Sequence, residues 1–208
     1  VNRNYFRFGI KSLLVVMTLV AVWVTVHFRA NRIQRESIAA VESCGGTIMY
    51  SYHESGIRSW STVRRPFAPE WARKLLGPET FDRPTYIDLS SAPKETEWID
   101  GFNHLTYINT LLLSGPNVDD TTVAMLEGSN QLLELHLTGT AITDDGIASL
   151  TKFPNLRWLV LNRTAVTDKC IASLKQLTSL EEVSFTNTAV TGKGRIELQK
   201  ALPYIQVQ

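Results

Sequence analysis

LHLTGTAITDDGIASLTKFPNLRW, residues 135–158, is the stretch that decides the fold, because the chain around it repeats its pattern. Leu135-x-Leu137 returns as Leu159-x-Leu161 and again as Val183-x-Phe185, and Leu111-x-Leu113 precedes it. The first members of these pairs, 111, 135, 159 and 183, are evenly spaced at 24 residues. A fixed period of this size marks stacked copies of one supersecondary unit, each too small to bury its apolar side alone. Within the stretch the inward set is Leu135, Leu137, Ile142, Ile147, Leu150, Phe153 and Leu156. The following copy offers Leu159, Leu161, Val166, Ile171, Leu174, Leu177 and Leu180. A fainter copy begins at Ile87 and Leu89 and continues through Ile99, Phe102, Leu105 and Ile108.

Each Leu-x-Leu reads as a short strand with one buried side. The pairs Val123/Leu126, Ile147/Leu150 and Ile171/Leu174 sit at i, i+3 and read as short helices. Asp119-Asp120, Thr143-Asp144 and Thr167-Asp168 fall just before those helices. Short oxygen side chains there accept helix N–H groups, and carboxylates suit the positive end of the helix dipole. Gly128 is placed to close the first of these helices.

The pattern LxLxxTx[IV]TDxx[IV]xxLxx[LF]xxL, seen over about residues 87–205, resembles the leucine-rich repeat. It departs from the common form where an asparagine usually follows LxLxx: Thr140, Thr164 and Thr188 stand there, and Pro116 in the earlier copy. A threonine hydroxyl can bond nearby backbone, whereas a proline cannot. The resemblance implies an α/β leucine-rich repeat solenoid over 87–208, a parallel sheet with short helices in about five 24-residue repeats. Leu202-Pro203-Tyr204-Ile205 is expected to cover its C-terminal end.

Residues 12–28, SLLVVMTLVAVWVTVHF, form an apolar run with no charge apart from His27. Seventeen residues at about 1.5 Å rise reach roughly 25 Å, near the lower limit for a hydrocarbon core of about 30 Å. Arg7 and Lys11 before it and Arg29 and Arg32 after it suit headgroups. The expectation is a single transmembrane helix over 12–28, after a tail of residues 1–11. A cleaved signal peptide fits less well, since the best site, after Ala30, has Phe28 at −3. Basic residues balance on the two sides, Arg3, Arg7 and Lys11 against Arg29, Arg32 and Arg35. A free N-terminal amine tips the orientation towards repeats on the non-cytoplasmic side of a bacterial cytoplasmic membrane.

Residues 29–86 are expected to form a juxtamembrane helix and a small α+β cap. Gly45-Gly46 should end the helix, Ile48, Tyr50 and Tyr52 suggest a strand, and Pro69 opens a short helix. Trp71, Leu75, Leu76 and Phe81 are read as its apolar side against the first repeat. The order of Arg7-Phe8, apolar span, Cys44-Gly45-Gly46 and an aromatic strand is similar to a leader module on planctomycete membrane-anchored leucine-rich repeat proteins. That resemblance implies a cell-envelope location and no particular activity.

Composition narrows function by exclusion. Lys plus Arg is 21 and Asp plus Glu is 20, so the net charge of +1 gives no footing for nucleic acid. The four histidines show no HxxxH or HExxH spacing, and Thr191-Gly192-Lys193-Gly194 lacks the phosphate-loop frame. No GxSxG occurs, Cys44 and Cys170 read as free thiols, and Arg58, Arg64 and Arg65 read as a solvated loop. The reading is therefore a non-enzyme with no cofactor or metal. Its candidate site is the sheet face opposite the leucines: Thr110, Leu112, Glu134, His136, Trp158, Val160, Glu182 and Ser184. Leu112, Trp158 and Val160 are apolar where solvent is expected, which suits capture of a protein or peptide. Alternatives are an envelope scaffold packed on a neighbouring membrane protein, or a non-catalytic subunit of an enzyme complex. The lipid bilayer is the second expected partner, through 12–28.

Overall fold

The computed structural model describes residues 10–50, 70–71, 84–90, 97–105, 107–126 and 131–208. Among these residues, seven strands form one sheet in chain order: β1 (Thr47–Tyr50), β2 (Pro84–Leu89), β3 (Thr110–Leu113), β4 (Glu134–His136), β5 (Trp158–Val160), β6 (Glu182–Ser184) and β7 (Gln206–Val207). β2 to β7 run parallel, and the leucines are register partners: Leu111 pairs with Leu135, Leu135 with Leu159, and Leu159 with Val183. The 24-residue period is thus one strand step across the sheet.

The helices whose full spans are described are α1 (Ile10–Ser43), α2 (Glu97–His104), α3 (Asp120–Met125), α4 (Asp144–Ser149), α5 (Ile171–Leu174) and α6 (Gly192–Ala201). Short 3-10 turns at Leu150–Lys152 and Asp168–Cys170 supplement α4 and α5. Val123, Ile147, Ile171 and Leu198 from the helices and Leu111, Leu135, Leu159 and Val183 from the strands belong to one buried cluster. Its largest fully buried side chains include Phe102, Phe153 and Phe185. The N-terminal part shares this core, since Ile38, Val41 and Cys44 of α1 and its exit are buried in it, and α1 packs on α2 and β1.

Three local devices repeat with the same period. Thr140, Thr164 and Thr188 donate their hydroxyls to the carbonyls of Leu137, Leu161 and Phe185 at 2.8, 2.7 and 2.8 Å. These bonds satisfy the corner where the chain leaves each strand. Gly115, Gly139, Arg163 and Asn187 adopt φ of +94°, +68°, +57° and +58°, so each strand exits through a left-handed residue. Asp119, Thr143, Thr167 and Thr191 cap the helical turns with side-chain oxygens.

The expected architecture is corrected in two respects. The sheet is mixed, not an all-parallel leucine-rich repeat solenoid, because β1 pairs antiparallel to β2 with Ile48 opposite Ile87. The N-terminal segment supplies this strand to the free edge of β2, and no 24-residue crossover fixes its direction. Among the described residues, no helix is long and apolar enough to cross a membrane. The apolar run 12–28 is the first half of the 34-residue α1, which continues without a break into Arg29, Arg32 and Glu36. At about 1.5 Å per residue, that run alone falls short of a hydrocarbon core of about 30 Å. The expected transmembrane helix, bilayer partner and bacterial membrane location fall with it.

Smaller expectations also move. Gly45, at φ +78°, does terminate α1, whose carbonyls of Glu42 and Val41 accept from the N–H groups of Gly45 and Gly46. Trp71 is 69% exposed and so is not part of a buried capping side. Tyr204 is also exposed, and the C-terminal end is covered by Leu202, Ile205 and β7. Tyr52, the arginine loop, Leu75, Leu76, Phe81 and Gly128 lie outside the described residues.

Candidate functional site

Successive side chains of a strand point to opposite sides of its sheet. Because Leu111, Leu135, Leu159 and Val183 enter the core with the helices, their even-numbered neighbours occupy the other face. Register then arranges that face in two rows. One row is Tyr86, Thr110, Glu134, Trp158, Glu182 and Gln206. The other is Asp88, Leu112, His136, Val160 and Ser184. All eight residues proposed from sequence fall in these rows. Seven are half-buried, and Ser184 is buried, donating its hydroxyl to Asn162 Oδ1 at 2.7 Å. Ser184 therefore braces the face from within and presents little to solvent.

Sequence reasoning missed the flanks of the rows. Tyr86 and Asp88 lie one period before Thr110 and Leu112, and Gln206 lies one period after Glu182. Extending the 24-residue spacing by one step in each direction reaches all three. β1 adds Thr47 opposite Asp88 and Met49 opposite Tyr86.

Polar groups on the face are bonded both along a strand and between neighbouring segments. Glu134 Oε1 lies 2.7 Å from His136 Nε2, so the tautomer that makes this bond carries its proton on Nε2. Thr110 donates to Glu134 Oε2 at 3.4 Å, and Gln208 donates its side-chain amide to Glu182 Oε1 at 2.6 Å. Asp88, Glu134 and Glu182 are the charged residues of the two rows, and neither row contains a lysine or arginine. The field of these carboxylates is felt by Tyr86. Its hydroxyl is held above the ordinary phenol range by burial first, and then by the charges of Asp88 and Glu134. Arg157 and Glu181, which pair at 3.3 Å, precede β5 and β6 and stand outside the rows.

The repeated aspartates do something different from ligand binding. Asp120, Asp144 and Asp168 each bind the capping threonine of the next coil, Thr143, Thr167 and Thr191. Among the described residues, no group of three or more His, Cys, Asp or Glu side chains is arranged to hold a metal ion. Cys44 and Cys170 are free and buried. Burial, then the charges of Asp144 and Asp168, push the Cys170 thiol up to about 12, so it is a protonated core side chain at neutral pH.

No family model matches the sequence, and no curated protein matches it. A solved structure described as the Leiomodin-1 Actin-Binding Site 2 is similar at 15% identity and a TM-score of 0.47, covering 58% of this chain and 79% of that one. The Chaetomium Mex67:Mtr2 subunits are similar at 20% identity and a TM-score of 0.30, covering 57% of this chain and 61% of that one. Neither likeness is close enough to carry an argument about this chain.

Proposed function

We propose that the chain is a non-catalytic recognition module that captures a protein or peptide on the sheet face formed by the two rows. The observation that carries this reading is the placement of Trp158, Leu112 and Val160, half-buried apolar side chains on the side opposite the helices. A tryptophan that keeps part of its surface in water and is ringed by polar groups is the type of residue that dominates binding energy at interfaces. The strands fix its neighbours rigidly, so little ordering cost falls on this side when a partner docks.

Trp158→Ala and Leu112→Ser test the reading in a capture assay with the purified chain as bait. Both variants are expected to lose the partner, while Ala172→Ser on the exposed side of α5 retains it. Capture that persists at full strength in both face variants would refute the assignment, provided their urea midpoints match the parent.

A further inference from the structure

The two halves of α1 have different surroundings. The second half is seated. Ser37, Ile38 and Val41 are buried, and α2 comes so close at Gly101 that a methyl there would meet the Ser37 carbonyl oxygen at 2.8 Å. The first half is apolar and wet. Every described residue from 12 to 26 is exposed, and the large hydrophobics among them keep 47% to 65% of their surface in water. No Asp, Glu, Lys or Arg falls between Lys11 and Arg29. Two threonines on this wall do not interrupt it. Thr18 donates its hydroxyl to the Val15 carbonyl and Thr25 to the Ala21 carbonyl, each at 2.8 Å. Both can therefore enter a dry contact with their donors already satisfied.

Area decides how such a wall is covered. Residues 13–26 form a helical cylinder about 21 Å long and about 11 Å across, with a side wall of roughly 700 Å². The largest apolar patch on an ordinary monomer is about 300–600 Å². A helix that is apolar on every side belongs in an interior. Among the described residues, no helix is long and apolar enough to cross a membrane, so a spanned bilayer is set aside. A single second helix laid alongside covers about a third of the wall, far below the roughly 800 Å² per partner of a stable interface. Closing the wall takes at least two neighbouring helices, as in a bundle.

The spacing points to identical neighbours. Val15, Leu19, Val22 and Val26 follow one another at intervals of 4, 3 and 4 residues. Ile33, seven residues after Val26 and 37% exposed, carries the same seam past the apolar run, with Arg29 as the charged position between. An apolar seam that recurs every 3.5 residues is what like helices present to one another.

We infer that the first half of α1 is a self-association segment, packed in a helical bundle with the same segment of at least two further copies of this chain. This surface is separate from the recognition face and stands or falls without it.

Sedimentation equilibrium of the purified full chain, in buffer without detergent at micromolar concentration, tests the inference. A discrete species of three or more chains is expected. Leu19→Glu and Val26→Glu each place a carboxylate in the seam and should raise the midpoint concentration of assembly at least about a hundredfold. Leu19 and Val26 lie outside the buried cluster, so both variants should keep the parent's urea midpoint when compared as single chains. Ile196→Glu puts the same charge on an apolar residue of α6 that is 56% exposed, and should leave the mass unchanged. Trp23 emission, isolated by subtracting the Trp23→Phe spectrum, should shift to the blue on assembly and return on dilution.

A monomer or a dimer under these conditions overturns the inference. So does a polydisperse aggregate, or an assembly that survives both Leu19→Glu and Val26→Glu. Single chains that float with phosphatidylcholine vesicles, and lose the vesicles on Leu19→Glu, would overturn it in favour of a lipid surface.

Discussion

Asp144 ties its own coil to Thr167 in the next: Oδ1 accepts the Thr167 N–H at 2.8 Å and Oδ2 accepts its hydroxyl at 2.7 Å. Asp120 holds Thr143 in the same way at 2.8 and 2.5 Å, and Asp168 holds Thr191 at 2.7 Å through both groups. The threonine passes the connection on, because its hydroxyl oxygen accepts a helix N–H, from Lys169 in the case of Thr167. Carboxylate, hydroxyl and helix start therefore form a strap that runs from coil to coil along the helical side.

Thr167→Val removes the donor and the cap together while keeping the shape of the side chain. It should lower stability by about 1–2 kcal/mol, the range of a lost N-cap and a charge-assisted hydrogen bond. Thr167→Ser keeps both bonds and should remain within about 0.5 kcal/mol of the parent. Urea unfolding of the two variants separates these outcomes, and equal midpoints for valine and serine would show the strap to be idle.

The strap also explains a small residue. A methyl at Gly146 would run into Asp120 Oδ1, and a methyl at Gly194 into Asp168 Oδ1. Alanine is about 1 kcal/mol better than glycine in a free helix. Gly146→Ala should nonetheless destabilise the chain, because Asp120 must leave Thr143 to make room. In an Asp120→Ala background the same substitution should lose most of its cost. Additive effects in this double-mutant cycle would mean that glycine is kept for another reason.

Acid should loosen these carboxylate contacts. The Thr122 N–H, then its hydroxyl, hold Asp119 below the ordinary value of 3.8. Asp168 is held below 3.8 by the Thr191 hydroxyl first and its N–H second. A carboxylate whose folded pKa is depressed contributes stability that is complete above its unfolded value and is lost as pH falls through the folded value. The urea midpoint should therefore stay nearly level from neutral pH to about 5 and drop below about 4. Asp168→Asn should flatten part of that drop. A midpoint that climbs on acidification would reverse the assigned sign.

Arg163 occupies the left-handed position that Gly115 and Gly139 fill in earlier coils. A side chain there carries a cost of about 1–2 kcal/mol, which glycine escapes at some entropic expense in the unfolded state. Arg163→Gly should thus raise stability by up to about 1 kcal/mol, with the Arg163 N–H bond to the Thr186 carbonyl unchanged. Thermal unfolding checks it, and a clear fall in the melting temperature would argue that the guanidinium side chain has a contact of its own to lose.

The 24-residue spacing was legible because register partners in parallel strands recur once per coil, as Leu135, Leu159 and Val183 do. The direction of β1 was not, since the alternation around Ile48 indicates a strand and says nothing about which way it runs beside β2. Arg29–Ser43 reads from sequence as a charged helix continuing from the apolar run, and α1 does run on through Arg29, because a change of composition alters the surroundings of a helix without interrupting its backbone. Asp144 and Asp168 read equally well as helix-dipole residues, and only coordinates reveal that they reach the next coil. For the face, alternation placed all eight residues on one side, but it could not tell that Ser184 is closed off by Asn162.

Site-specific photo-crosslinking tests the recognition face most directly. A photoreactive residue placed at His136, between Leu112 and Val160, faces the incoming partner, whereas one at Ala172 on α5 faces away. The expected result is a crosslink to one protein from position 136, none from position 172, and loss of the position 136 product in Trp158→Ala. Crosslinks from position 172 alone, or a position 136 product indifferent to Trp158, would contradict recognition by this face.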